Sequence, residues 1–177
     1  MAVPNAVVWP CKPHTLAKHR ILQRYLEAWY PIFMQETWCS SVTYAEGFAG
    51  SGIYTNGKPG SPVIAADVFL ARRNFLDIKA VNMVLVEADC RRLVRLKQEM
   101  TVAVNRGGTP PAGLRVSYQE GECSSKLLPA LAKAGALESP IFAFLDSFGG
   151  PDVPLRLVRT IARQSSGEVQ RPVPGVG

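Results

Sequence analysis

Val42-Thr43-Tyr44-Ala45-Glu46-Gly47-Phe48-Ala49-Gly50-Ser51-Gly52 is the stretch on which the fold is decided. Residues 42–45 are mostly β-branched or aromatic and predict a short strand. It runs into an acid and a turn with three glycines. A loop carrying Asn56-Gly57 and Pro59-Gly60 follows, and Ser61-Pro62 predicts the start of a helix, with Ser61 as its cap and a proline at the first helical position. Upstream, Leu22, Tyr25, Leu26 and Trp29 recur at i, i+3, i+4 and i+7. That spacing predicts an amphipathic helix over 15–30, capped by Thr15 and ended by Pro31.

The strand-then-helix pattern repeats. Residues 81–86 are apolar except Asn82 and end at Glu87, after which Asp89 caps a helix carrying Leu93, Leu96 and Met100. A third strand is expected over 114–118, ending near Glu120-Gly121-Glu122, with a helix from about Ser125. A fourth, over 141–145, ends at Asp146, and Asp152 with Pro154 starts a last helix that turns Leu157, Val158 and Ile161 to one side. Strands that are apolar throughout and alternate with helices imply a parallel sheet covered on both faces. The expected fold is therefore α/β, a doubly wound, mostly parallel Rossmann-like sheet with an N-terminal helix. Only about four β–α units are visible, whereas a full sheet of this kind has six strands or more. Beyond Glu168-Val169, residues 170–177 hold two prolines and two glycines, which exclude a central strand. The domain is expected to span 1–169 with an irregular tail over 170–177, and the sheet to be incomplete, the N-terminal part of a longer one.

Composition sets the outer limits. The 177 residues carry 20 Lys and Arg against 14 Asp and Glu, and 47% are hydrophobic, too many for a disordered chain. No uncharged apolar stretch approaches the roughly 18 residues of a membrane span. The first residues lack a basic region leading into an apolar core, so a soluble, cytoplasmic protein is expected. Cys11, Cys39, Cys90 and Cys123 are 28, 51 and 33 residues apart, and His14 and His19 lie far from all but Cys11. Metal sites draw on closely paired ligands, so neither a metal nor a disulfide framework is expected. The net charge of +6 fits contact with nucleic acid without requiring it.

Ligands of open parallel sheets bind beyond the carboxyl ends of the strands. Each of the four predicted strands ends in a carboxylate: Glu46, Glu87, Glu122 (with Glu120 competing) and Asp146. A single acid there is an ordinary helix cap. Four on one rim point to a ligand with several hydroxyls or amines. The first turn narrows the class. Dinucleotide dehydrogenases use G-x-G-x-x-G to receive a pyrophosphate on a helix N-terminus. Here the glycines fall as Gly47-x-x-Gly50-x-Gly52 behind an acid, which repels a pyrophosphate and attracts a cationic ligand.

An acid followed by x-Phe-Ala-Gly-x-Gly resembles the first motif of S-adenosylmethionine-dependent methyltransferases, particularly those acting on nucleic-acid bases. The resemblance implies that Glu46, Gly47, Phe48, Ala49, Gly50 and Gly52 line the methionine end of the cofactor. It implies that Glu87 meets the ribose hydroxyls and Glu122 the adenine end. Phe144-Leu145-Asp146-Ser147-Phe148-Gly149 is related to the acid-to-aromatic tetrapeptide of amino-group methyltransferases. There Asp146 would accept hydrogen bonds from the target amine, and Phe148 would stack on the base.

As an ordered set the motifs resemble the three-Cys-motif partner protein family. They are Lys18-His19 with Ile21-Leu22 and Tyr25-Leu26, Tyr44-x-x-Gly47-Phe48-Ala49-Gly50-x-Gly52, Gly60-Ser61-Pro62, and Phe144-Leu145-Asp146-x-Phe148-Gly149. The likeness covers about residues 9–169. It implies a bacterial protein of class I methyltransferase type that works with a partner carrying three cysteines; the four cysteines here are not that motif. Two residues depart from the family's pattern: Glu46 stands where it tends to have Asp, and Ser147 where it has Pro. Lys12, His14, Lys18 and His19 precede the first strand, where a segment closing over a cofactor or gripping phosphates is one reading and a solvated helix face another. Arg91, Arg92, Arg95 and Lys97 read first as the exposed side of a helix. The alternative to an enzyme is a non-catalytic module that uses this fold to bind its partner or nucleic acid. A nicotinamide-dependent oxidoreductase conflicts with the glycine spacing and with Glu46.

Overall fold

The computed structural model describes residues 6–76, 79–147 and 153–163, and the backbone of 168–170. In chain order the elements are α1 (Pro13–Gln35), β1 (Ser41–Glu46), α2 (Ser61–Leu70), α3 (Arg73–Leu76), β2 (Ala80–Glu87), α4 (Cys90–Asn105), β3 (Leu114–Glu120), α5 (Cys123–Lys133), β4 (Ile141–Phe144), α6 (Leu155–Ala162) and β5 (Glu168–Gln170). All strand pairs are parallel and the sheet runs β3-β2-β1-β4-β5. The expected α/β class is thus observed, in a Rossmann-like strand order.

The strand alternation explains why both faces are covered. Tyr44, Met83, Leu85, Phe142 and Phe144 turn to one face and pack with Leu22, Leu26 and Trp29 of α1, Phe69 of α2 and Leu96 and Met100 of α4. Ala45, Val84, Val86, Ile141 and Ala143 turn to the other and pack with Leu127 and Leu131 of α5 and Leu157 and Ile161 of α6. The chain runs outward from β1 to β3 with its helices on the first face. It then returns to the far side of β1 with its helices on the second. The order reverses between β1 and β4, and ligands of open sheets bind at such a switch point.

Three local expectations change. Pro31 does not end α1, which runs through it to Gln35. Proline deprives the Glu27 carbonyl of its helical donor, and Arg72 Nη2 approaches that carbonyl at 3.4 Å. Burial of Tyr30 and Met34 either side of the proline keeps the last turn on the core. At the other end the helix starts at Pro13 with Lys12 as N-cap, so Thr15 lies inside it. A fifth strand exists where none was expected, but it is three residues long and sits at the sheet edge beside β4. An edge position tolerates what a central one does not. Residues 171–177 lie outside the described residues, as do Asp152 and Phe148. No described helix is long and apolar enough to cross a membrane.

Candidate functional site at the strand ends

β1 delivers Glu46 to the switch point fully enclosed, with 1% of its surface exposed. Tyr44 Oη donates to its Oε2 at 2.7 Å, and Ser61 Oγ donates to its Oε1. Ser61 therefore does not cap α2; Gly60 takes that position and Ser61 ties the helix to the strand end. Burial pushes the Glu46 carboxyl up to about 8, against the pull of the two hydroxyls and with a further push from Asp146 and Glu87. The acid is mostly neutral at pH 7 in the free chain. That refines the sequence argument: its affinity for a cation is latent and costs a proton.

The glycines of the turn serve different ends. A Cβ on Gly47 would lie 2.3 Å from Cys123 Sγ, so this glycine lets the first turn of α5 approach β1. Cys123 is itself buried, its thiol pushed up to about 12 by desolvation. Gly50, half-buried, has φ +63° with open space where a Cβ would be, which makes it the open corner of the turn. Gly52, at φ +74°, packs on Leu96, and its carbonyl receives Gly60 N at 2.8 Å. Ala49 is buried, its N–H on the Val86 carbonyl at 2.9 Å, and Phe48 packs against the α5 side of the sheet.

Glu87 ends β2 and holds the turn in place. Its Oε2 accepts from Gly50 N at 2.8 Å and its Oε1 from Asp89 N at 3.0 Å. Arg92 Nη1 lies 3.7 Å from Oε1, with both side chains buried. Arg92 was grouped with the exposed face of α4; it is instead enclosed, beneath the Trp9 ring at 5.0 Å and beside the Ala6 carbonyl. Arg91 and Arg95 are exposed as expected and pair with Asp89 and Glu99. Both Glu87 oxygens are engaged within the chain, so a ribose diol would share or displace the Gly50 and Asp89 donors. Glu122 and Glu120 are exposed on the β3 side; Glu122 is the N-cap of α5 through its backbone carbonyl, which receives Ser125 N and Lys126 N.

Asp146 follows β4 two residues past Phe144, the register partner of Glu46. Lys18 Nζ donates to its Oδ1 at 2.8 Å. His19, next along α1, is buried, with Nε2 3.5 Å from Tyr54 Oη. Burial holds its imidazole below the ordinary histidine value, with Asp146 raising it and Lys18 lowering it by less. Of the two readings open for Lys18 and His19, the structure favours convergence on the rim over a solvated face: the long lysine stem spans the angle between successive helical residues. Lys12 and His14 are exposed. The sequence gives no sign of the parts of Tyr54 and Trp9, and it reads Ser61 as a cap and Arg92 as exposed, because each acts through a partner distant in the chain.

The structure thus gathers Glu46, the glycine turn, Glu87 and Asp146 around the β1 end and leaves Glu122 on the outer edge. A hollow between α1 and α2, lined by Gln23, Glu27, Asp67 and Arg72 among others, includes no residue of the strand ends. All four thiols are free, with Cys90 exposed, and no group of three or more metal-ligating side chains occurs among the described residues. No protein-family model, curated protein or solved structure matches this chain.

Proposed function

We propose that the chain is a methyltransferase of class I type that takes S-adenosylmethionine, a three-Cys-motif partner protein whose acceptor is an amine of a nucleic-acid base. The observation that carries this reading is the join at the switch point. The open corner of the glycine turn, Gly50, is bonded to the acid of β2, while a buried acid closes β1 and Asp146 stands on the neighbouring strand. A cationic ligand bearing hydroxyls and an amine suits a rim of acids; a pyrophosphate does not.

The cofactor would supply a methyl group on a positive sulfur. Glu46 and the turn from Gly47 to Gly52 would hold its amino-acid end, with Glu87 on the ribose. Asp146 would accept a hydrogen bond from the acceptor amine and orient its lone pair, so that positioning supplies most of the rate. Phe148, assigned to stacking on the base, lies outside the described residues. The second reading, a binding module without catalysis, draws on Arg92 and Lys18, which occupy the two acids a ligand would use.

Thermal unfolding with and without S-adenosylmethionine tests the reading. Ligand at about 100 times its dissociation constant adds roughly 2.7 kcal/mol, a rise of about 5 °C or more in a chain of this size. The expected result is a rise with S-adenosylmethionine and none with NAD. In the same protein Asp146→Ala should abolish methyl incorporation into nucleic acid while the rise persists. An unmoved midpoint, or turnover untouched by Asp146→Ala, would refute the assignment.

A further inference from the structure

Lys18 and Asp146 are 128 positions apart in the chain, yet their bond joins α1 to the end of β4 at the switch point. The two side chains keep 39% and 24% of their surface exposed. A half-exposed pair is held less firmly than an enclosed one and can exchange partners. β1 and β2 also end in acids, but Glu46 is enclosed and holds its proton, and Glu87 is paired within the chain. Arg92 is locked on Glu87 in the interior, and the imidazole of His19 is kept neutral by burial. An amino-acid end entering this rim brings a carboxylate as well as an ammonium. Lys18, already at the β4 end, is a cation placed to meet it.

Resting on the methyltransferase reading, we propose that Lys18 works in two positions. In the free chain it caps Asp146; in the loaded chain it turns to the carboxylate of the ligand's amino-acid end and so frees Asp146 for the acceptor amine. The exchange replaces one solvent-exposed ion pair by two charge-assisted contacts. It also imposes an order, the carboxylate-bearing ligand first and the amine second, because the amine's seat is filled until Lys18 leaves. A lysine suits this role: its charge is compact and its stem rotates about four bonds.

S-adenosylhomocysteine and 5′-methylthioadenosine share the thioether nucleoside and differ in the amino-acid end. Titration calorimetry on the whole chain should find S-adenosylhomocysteine bound at least about tenfold more tightly, the size of one charge-assisted contact. Lys18→Met should lower that preference by about tenfold and Lys18→Arg should keep it. Asp146→Asn, which releases Lys18, should preserve the preference or enlarge it. A Lys18→Met variant whose preference for S-adenosylhomocysteine is undiminished overturns the proposal, as does an Asp146→Asn variant that loses the preference. Should Lys18→Met not fold, the Asp146→Asn arm decides alone. If neither nucleoside binds the unaltered chain, this proposal and the cofactor reading fall together; binding with an unchanged Lys18→Met removes this proposal only.

Discussion

Replacing Glu46 by glutamine should change how stability depends on pH. A carboxyl that titrates near 4.5 in the unfolded chain and near 8 in the fold binds its proton more tightly when folded. Its contribution is fully present below pH 4.5 and is lost as pH rises through about 8, because the unfolded chain gives up the proton first. At about 1.4 kcal/mol per pH unit, the loss across that window reaches up to about 5 kcal/mol. Glutamine imitates the neutral acid. Its oxygen can accept from one of the Tyr44 and Ser61 hydroxyls and its amide can donate to the other.

His19 acts in the opposite sense. Its imidazole is held below 6.5 by burial, so its contribution is present above that pH and is lost as pH falls. The difference between the two proteins cancels this and isolates Glu46. Urea unfolding at half-unit steps from pH 5 to 9 should show Glu46→Gln gaining on the unaltered chain with rising pH and the gap levelling above about 8. Parallel stability curves would mean that Glu46 is ionised in the fold throughout, and the argument from its burial would be wrong.

Two other substitutions test the packing around the site. Gly47→Ala places a methyl 2.3 Å from Cys123 Sγ and should lower stability by about 1–3 kcal/mol in chemical denaturation, with Cys123→Ala restoring part of it. Arg92→Met leaves the buried Glu87 charge without its ion partner, and should cost about 3 kcal/mol by the same measurement; the double replacement with Glu87→Gln should recover much of the loss.

The strands, their order of appearance and the acids at their ends were legible because each rests on local signals: runs of apolar residues, a turn composition, a cap. Asp89 illustrates this, accepting from Arg91 N at 2.8 Å as its position predicted. Ser61 shows where such signals mislead. Its place before a proline marks a cap, yet Gly60 takes that position and the Ser61 hydroxyl is drawn to Glu46, fifteen residues away, because a buried acid needs a donor. Pro31 misleads similarly, since a carbonyl it orphans meets Arg72 from the turn between α2 and α3. Lys18 and His19 were unreadable for a related reason: helical geometry sets where a side chain starts, not how far its stem carries it.

The four acids look equivalent in the sequence and are physically distinct in the fold. Glu46 is enclosed and mostly neutral, Glu87 is enclosed and paired with an enclosed arginine, and Glu122 is exposed on the outer edge. Asp146 alone among them is both paired and open to water. Separating Glu87 from Arg92 costs about 3–5 kcal/mol, whereas a half-exposed pair like Lys18 and Asp146 is worth on the order of 1 kcal/mol. Drawing a proton from Glu46 at pH 7 costs on the order of 1 kcal/mol, one pH unit below its titration near 8. A ligand arriving at this rim therefore meets two inexpensive changes, exchange at Asp146 and proton release from Glu46, and one costly one at Glu87. The Glu87 and Arg92 pair is then a fixed wall of the site, and adaptation belongs to the β1 and β4 ends.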